Sequence, residues 1–215
     1  QSYVLYNLTQ HQLAHTIFPL GAYSKTQIRE MAEKQSFCNA RKHDSQDICF
    51  VPDGDYVGFM EQYTGKRYPS GDFIDENGKK IGTHAGAVRY TIGQRRGLGL
   101  PMGDRVYVCS KDMEKNTVTV GPVESLFATR VIVRDMNWIS VPGLTGEMRV
   151  KAKLRYRQKE QPAVASPLDG GRILLTFDEP QRGPAIGQAA VLYDGDTVVG
   201  GGTICGVPKD GEVCR

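Results

Sequence analysis

Short runs of alternating apolar and polar residues, separated by turn sequences, make up the chain after Gly65. The turns include Glu76-Asn77-Gly78, Asp169-Gly170-Gly171 and Asp194-Gly195-Asp196. Gly and Asn tolerate the positive φ angles that tight hairpins need, so these sequences predict hairpins. Most of the 25 glycines also fall in this part of the chain. The pattern restricts it to an all-β architecture.

The alternating runs fall into two sets, with a boundary near Gly121-Pro122. About five strands are predicted after the boundary, which is enough for a small closed barrel: residues 128–139, 146–158, 172–177, 188–193 and 197–204. Shorter runs precede the boundary and predict a smaller β module: residues 73–74, 88–92, 106–109 and 117–120.

The first sixty residues instead have helical periodicity. Ser24 followed by Gln27, like Thr9 followed by Gln12, has capping-box spacing and predicts a helix start. A third helix is predicted from Asp53, with apolar residues spaced to share one face. Three amphipathic helices bury too little surface by themselves, so we expect this segment to pack on structure elsewhere.

Size and composition are ordinary for a globular protein, with 215 residues, 40% hydrophobic and 24% charged. No apolar run approaches the roughly 20 residues of a membrane helix, and the first residues lack a signal-peptide pattern, so we expect a cytoplasmic protein.

The net charge of +3 is unevenly distributed. Residues 126–160 contain eight Lys or Arg and three acidic residues, which is typical of a binding face.

Within that basic region, every odd position from 149 to 157 is cationic. The cations are Arg149, Lys151, Lys153, Arg155 and Arg157, and the even positions between them are Val150, Ala152, Leu154 and Tyr156. In a strand this alternation places all five cations on one face, about 6.6 to 6.8 Å apart, which roughly matches phosphates along a nucleic acid. A solvated sheet face is the alternative. Tyr156, between two guanidinium groups, suits stacking on an unpaired base.

Cys49 is the best candidate for a reactive thiol. It follows the polar sequence Asp44-Ser45-Gln46-Asp47 and precedes a Pro-Asp-Gly turn, which favours an exposed loop, although Ile-Cys-Phe-Val also fits a buried strand. Cys38, Cys109 and Cys205 are interpreted as structural. No cysteine pair has metal-ligand spacing, and the four histidines form no zinc pair, so we expect no bound metal.

The loop of residues 91–103 is rich in glycine and contains the pair Arg95-Arg96. It matches neither the dinucleotide fingerprint nor the Walker spacing, so a nucleotide site is not predicted there. Two interpretations stay open: the arginines contact a nucleic-acid backbone, or the glycines serve only tight turns.

Taken together, these motifs resemble one family along the whole chain. The resemblance rests on Gln1-Ser2-Tyr3, Phe18-Pro19-Leu20-Gly21, residues 42–50, His84-Ala85-Gly86-Ala87-Val88 with Tyr90-Thr91-Ile92-Gly93-Gln94-Arg95, Arg155-Tyr156-Arg157, and Gly187-Gln188-Ala189-Ala190-Val191. The chain is similar to the bacterial tRNA-specific 2-thiouridylase family, whose older name is tRNA (5-methylaminomethyl-2-thiouridylate)-methyltransferase.

The resemblance implies an α+β protein that makes 2-thiouridine at the wobble position of tRNA, using ATP and a cysteine persulfide. It assigns the persulfide to Cys49 and tRNA contacts to Gln1, Arg155, Tyr156 and Gln188. The cationic alternation adds Lys151, Lys153 and Arg157 to the predicted tRNA-binding set. The implied partners are the anticodon region of tRNA and a sulfur-donor relay protein.

The resemblance also implies three domains: residues 1–63 as the helical end of a pyrophosphatase-loop catalytic domain, 64–122 as a central β-rich domain, and 123–215 as a β-barrel that binds tRNA. The chain contains no Ser-Gly-Gly-x-Asp-Ser loop, so we expect a fragment without the Mg-dependent ATP site that is inactive alone. One alternative is a stand-alone RNA-binding barrel without catalysis. Another is a barrel that binds protein partners.

Overall fold

The computed structural model describes residues 2–42, 51, 54–100 and 105–208. Within these residues the chain divides into two compact units. The segment up to Gln10 belongs with everything from Tyr68 onward, and His11–Arg67 form a unit of their own. Helices are few and strands are many, which confirms the α+β class.

The His11–Arg67 unit contains most of the described helical residues. Its longer helices are α3 (Lys25–Lys34) and α4 (Tyr56–Thr64), and α2 (Gln10–Ala14) begins one residue before the unit. The capping box predicted at Ser24 is confirmed, because the Ser24 hydroxyl accepts from the Gln27 amide and the Gln27 side chain accepts from the Ser24 amide. Helix α4 begins later than predicted. Asp55 caps it by accepting a hydrogen bond from the Gly58 amide at 3.0 Å.

The central module is a four-stranded sheet with the order β2-β1-β4-β3. Its strands are β1 (Gly71–Ile74), β2 (Lys80–His84), β3 (Tyr107–Asp112) and β4 (Thr117–Gly121). Strand β1 pairs with β4 in parallel, and the other pairs are antiparallel. The strand predicted at 88–92 is wrong, since Ala87–Arg89 form a 3-10 turn, and β2 was not predicted.

His84 lies inside the core of this module and is 2% exposed. Its Nε2 donates to the Asn116 carbonyl at 3.1 Å, and its Nδ1 accepts from the Gly86 amide at 3.0 Å. The rings of Phe73 and Tyr90 contact it edge-on. Burial lowers the pKa of His84, so the neutral ring joins three segments of the module.

The C-terminal part is a closed barrel of six strands with the order β10-β5-β8-β7-β6-β9. The strands are β5 (Phe127–Trp138), β6 (Met148–Lys153), β7 (Gln161–Pro167), β8 (Ile173–Arg182), β9 (Ala189–Asp194) and β10 (Thr197–Gly206). The predicted barrel is confirmed, but it has one strand more than the five expected. Strand β7 was missed because Pro162 and Pro167 within it weaken the strand signal.

The short helix α1 (Ser2–Leu5) and the residues that follow it pack against this barrel. The Asn137 amide donates to the carbonyls of Tyr6 and Leu8, and Gln10 donates to the Ile139 carbonyl at 2.8 Å. Gly201 lies directly under the Tyr6 ring, because a Cβ there would be 2.5 Å from a ring carbon. Contacts with β5, β10 and the residue after β5 therefore hold residues 2–10 on the barrel surface.

Candidate nucleic-acid interface

Strand β6 carries the first half of the cationic alternation as predicted. Its side chains alternate in burial, with Val150 and Ala152 in the barrel core and Arg149 and Lys151 exposed. Lys153 also points outward but is only partly exposed. The alternation of this strand is confirmed as far as Leu154, which is 2% exposed.

The prediction of five cations in one strand row is wrong, because Arg155, Tyr156 and Arg157 lie in a turn after β6. Gln158 closes this turn. Its backbone amide donates to the Arg155 carbonyl at 3.1 Å, and its side-chain oxygen accepts from the Leu154 amide at 3.0 Å. Periodicity alone cannot detect a side chain that takes over a strand's hydrogen bonds.

The Gln158 amide is itself held from within the barrel. Its nitrogen donates to the side-chain oxygen of Gln181 at 2.7 Å, and Gln181 is only 5% exposed. Gln181 in turn donates to the Glu179 carbonyl at 2.7 Å. This chain of side-chain amides, anchored on the buried Gln181, fixes the turn of residues 154–158, which presents Arg155 and Tyr156 on the surface.

Acidic neighbours balance two of the strand cations. Arg149 forms a two-pronged ion pair with Asp178, and Lys153 pairs with Glu160 at 3.3 Å. The Lys153 ammonium also lies 4.9 Å from the centre of the Tyr193 ring. Mutual repulsion along the strand is therefore weaker than the sequence suggests. In the described part of the chain, Lys151 is exposed and has no ion pair.

Arg155 connects the turn to the loop that carries Gln188. Its guanidinium donates to the Gly183 carbonyl, directly after β8. Gly183 has a φ of 60°, and a Cβ there would be 2.8 Å from an Arg155 nitrogen, so glycine is required for this approach. Five residues later, Gln188 is exposed and its carbonyl accepts from the Ile204 amide at 2.8 Å. The structure thus brings Arg155 and the Gln188 loop together.

Two tyrosines complete this surface. The Tyr156 ring is 53% exposed and meets the Tyr3 ring edge-on, with 6.1 Å between the ring centres. The Tyr3 hydroxyl donates to the Ala189 carbonyl at 2.9 Å, next to Gln188. Burial raises the pKa of Tyr3, which keeps its hydroxyl a hydrogen-bond donor at neutral pH. An exposed ring beside a guanidinium can stack on an unpaired base.

Tyr3, Tyr193 and Ile186 have no role that the sequence alone predicts. Tyr3 and Tyr156 are far apart in the chain, so no local pattern indicates their contact. Ile186 is an apolar residue of the loop between Gly183 and Gln188, and it is 71% exposed. In the sequence, Ile186 is a single large apolar residue in a loop. Such residues are common on protein surfaces, so the sequence alone gives only weak evidence for a role.

The predicted thiol Cys49 and the predicted contact Gln1 lie outside the described residues. Among the described cysteines, Cys38 is exposed, whereas Cys109 and Cys205 are partly buried. Burial and the nearby Glu76 raise the pKa of Cys109 to about 11. A thiol of that kind is protonated at neutral pH and is a poor nucleophile.

Within the ranges that the structure describes, no group of three or more His, Cys, Asp or Glu side chains could hold a metal ion. None of the helices described there has the length and apolar content needed to cross a membrane.

Three family models match successive segments of the chain. They are the tRNA methyl transferase HUP domain at residues 1–53, the tRNA methyl transferase PRC-barrel domain at 57–122, and the Aminomethyltransferase beta-barrel domain at 128–204. The second match ends one residue after the last strand of the four-stranded sheet, and the third begins at the second residue of β5.

Curated relatives match nearly all of the chain. The tRNA-specific 2-thiouridylase MnmA 1 of Thermoanaerobacter sp. (strain X514) is 49% identical over 204 residues, which is 95% of this chain and 56% of the relative. The tRNA-specific 2-thiouridylase MnmA of Heliobacterium modesticaldum is 48% identical over 206 residues, or 95% of this chain and 54% of the relative. The chain thus spans little more than half the length of these relatives. Over that span, the chain belongs to the tRNA-specific 2-thiouridylase family.

Proposed function

We propose that this chain is the tRNA-binding and sulfur-delivering part of an enzyme that makes 2-thiouridine at the wobble position of tRNA. Nearly half of its residues are identical to those of relatives named for 2-thiouridylation. The observation that carries the proposal is the convergence of Tyr3, Arg155, Tyr156 and the Gln188 loop on one barrel surface. These residues combine stacking, hydrogen-bonding and cationic groups, as single-stranded RNA binding requires.

In the proposed reaction Cys49 carries a persulfide that receives its outer sulfur from a relay protein. ATP transfers its AMP group to the oxygen on carbon 2 of uridine and releases pyrophosphate, which turns a poor leaving group into a good one. The terminal sulfur attacks carbon 2, the carbon–oxygen bond breaks, and AMP leaves with the oxygen. A second thiol then attacks the Cys49 sulfur and forms a disulfide with Cys49, while the original sulfur–sulfur bond breaks and the outer sulfur stays on carbon 2 of the base.

The proposal divides the work among three segments. Residues 1–63 complete a nucleotide-using catalytic domain, 64–122 form the central module, and 123–215 bind the anticodon region. The match of residues 1–53 to a HUP domain model supports the first assignment. The 215-residue chain by itself binds tRNA but does not thiolate it, because the ATP site belongs to the part of the relatives that it does not span.

RNA binding is tested with an unmodified tRNA transcript and the 215-residue chain. Tyr156→Ala removes a stacking surface and should weaken binding by about 1–3 kcal/mol. Arg155→Ala should lower the slope of log affinity against log salt by about 1. Arg172→Ala is the control, because Arg172 precedes β8 and Arg155 contacts Gly183 at the other end of that strand. If the chain binds no tRNA in a salt-dependent way, the proposal is wrong and the alternative is a barrel that binds protein partners, whose affinity for those partners would survive high salt.

Sulfur delivery is tested in the full-length protein with ATP, a sulfur donor and unmodified tRNA. Cys49→Ser should abolish 2-thiouridine, measured by mass spectrometry of the nucleosides, whereas Cys38→Ser should not. Full modification by Cys49→Ser would contradict the catalytic assignment and favour a stand-alone RNA-binding module. Formation of 2-thiouridine by the 215-residue chain alone would contradict the proposal that this chain needs an ATP site from outside it.

A further inference from the structure

The loop of residues 91–100 in the central module presents two arginines with no role in the interface described above. Arg95 and Arg96 are exposed, and in the described part of the chain neither side chain has a hydrogen bond or ion pair. Exposed guanidinium groups without carboxylate partners are free to bind anions, and their fork geometry suits phosphate.

The loop holds these arginines on a fixed frame. The Gly93 amide donates to the Val108 carbonyl at 2.8 Å, and the Val108 amide donates to the Gln94 carbonyl at 2.9 Å. The Gln94 side chain accepts from the Thr91 amide and donates to the Arg96 carbonyl, both at 3.0 Å. Leu98, 8% exposed, anchors the far side of the loop in the module core. The arginine backbone is therefore ordered before any ligand binds.

The same loop lies against the barrel residues that carry the proposed RNA surface. The Ile92 side chain and the Arg155 guanidinium both approach Gly183, because a Cβ on Gly183 would be 3.7 Å from Ile92 Cγ2 and 2.8 Å from the Arg155 nitrogen. The Gly183 amide also donates to the Leu126 carbonyl at 2.6 Å. Arg95 lies three positions after Ile92, so their Cα atoms are at most about 11 Å apart.

A further arginine lies at this junction. Arg182, next to Gly183, places its guanidinium 5.7 Å from the centre of the Tyr107 ring at the start of β3. Arg155 and Arg182 therefore belong to the barrel where it contacts the central module near Gly183. Arg95 and Arg96 belong to the loop of the central module that makes this contact. Such a cationic surface attracts a polyanion along its length.

We propose that Arg95 and Arg96 bind the phosphate backbone of the RNA whose unpaired base contacts Tyr156. This inference rests on the proposed RNA-binding function and extends it from the barrel to the central module. The two arginines contact phosphates and read no base, so they increase affinity for any RNA sequence that the barrel surface holds.

The test measures binding of an unmodified anticodon stem-loop RNA to the 215-residue chain by fluorescence anisotropy between 50 and 300 mM NaCl. R95A/R96A should weaken binding about tenfold near 100 mM salt and lower the salt slope by about 1 to 2. R95K/R96K keeps both positive charges and should retain most of the slope. Unchanged unfolding temperatures for both variants exclude a folding defect.

The control R172A/K115A also removes two cations. Arg172 donates to the Asp169 carbonyl before β8, a strand of about 30 Å whose other end lies at Gly183. Lys115 lies in the hairpin turn at the end of β3 away from Tyr107. The control should bind RNA like the unaltered chain.

Two outcomes separate this inference from the function on which it rests. If Arg155→Ala and Tyr156→Ala weaken RNA binding while R95A/R96A matches the control, the inference is wrong and the proposed function stands. If the unaltered chain shows no salt-dependent RNA binding, the proposed function fails and this inference fails with it.

Discussion

The barrel and the His11–Arg67 unit differ in how completely they bury their own apolar side chains. In the barrel, Val131, Leu175, Leu192 and Ile204 are completely buried. In the helical unit, α3 has no buried residue and α4 has only Val57. Several large side chains of that unit are strongly exposed: Ile17 85%, Phe37 62% and Tyr63 82%. A closed sheet supplies its own inner surface, whereas separate amphipathic helices need a surface to cover.

The rigid barrel also gives the predicted RNA-contacting side chains of the turn at residues 154–158 fixed positions. The turn of residues 154–158 is held by the Gln158 amide, which bonds to the buried Gln181, and by the Gly183 carbonyl, so its exposed residues have defined positions. Functional side chains gain precision when a rigid scaffold supports them.

The largest difference between the two regions is expected from matched leucine truncations. Leu175→Ala removes a completely buried side chain of β8 and should lower the free energy of unfolding of the barrel by about 2–5 kcal/mol. Leu20→Ala removes a side chain that is 55% exposed and should change stability by no more than about 0.5 kcal/mol.

Urea unfolding checks both variants. The single tryptophan, Trp138, packs against the barrel core, so its fluorescence follows the barrel. Far-UV circular dichroism follows the helices. Equal losses of unfolding free energy in Leu175→Ala and Leu20→Ala would contradict the conclusion that the barrel buries its leucine side chains and the helical unit does not.

Alkylation of cysteines should next separate the helical unit from the central sheet, where Cys109 lies in β3. With a pKa of about 11, Cys109 is ionised in about one molecule in a thousand at pH 8. The exposed Cys38 in the helical unit should therefore react with iodoacetamide far faster. Peptide mass spectrometry measures each site. In denaturant the two rates should become similar, and a fast Cys109 in the folded chain would contradict its burial.

Acid should weaken the central module through His84. Burial lowers the pKa of the folded His84 below its ordinary value of 6.5, and the charge of Asp72 opposes the shift only in part. The unfolded chain then binds more protons, so stability is fully present above pH 6.5 and falls as the pH drops through that value. Unfolding of the chain and of His84→Gln between pH 7 and 5 measures this. The variant should be less stable at pH 7 and less sensitive to pH. If His84→Gln loses stability with falling pH as steeply as the unaltered chain does, His84 is not the group responsible for the pH dependence.

The smallest effect is expected from Tyr3→Phe. The variant keeps the ring contact with Tyr156 but removes the hydrogen bond to the Ala189 carbonyl, which contributes about 1 kcal/mol. We expect RNA affinity to fall up to about fivefold, because Tyr156 and the Gln188 loop lose a shared support. Tyr23→Phe is the control, since Tyr23 lies in the helical unit. A loss as large as that of Tyr156→Ala would indicate that the Tyr3 hydroxyl contacts RNA directly.

Local chemistry in the sequence was sufficient to predict several features. Turn residues and alternation predicted the β architecture after Gly65, and the Ser24–Gln27 spacing predicted a helix start, because these signals depend on residues close in the chain. The outward direction of Arg149, Lys151 and Lys153 also follows from the period of a strand. The match of motifs along the chain was enough to recognise the family.

Other features were decided only by the tertiary structure. The strand signal after Leu154 is broken by Gln158, whose effect depends on the buried Gln181 of another strand. The contact between Tyr3 and Tyr156, and the approach of Ile92 and Arg155 to Gly183, join segments far apart in the chain. Sequence periodicity reports which face a side chain occupies. Closure of the barrel determines which distant side chains meet there, because strand order and register bring them together.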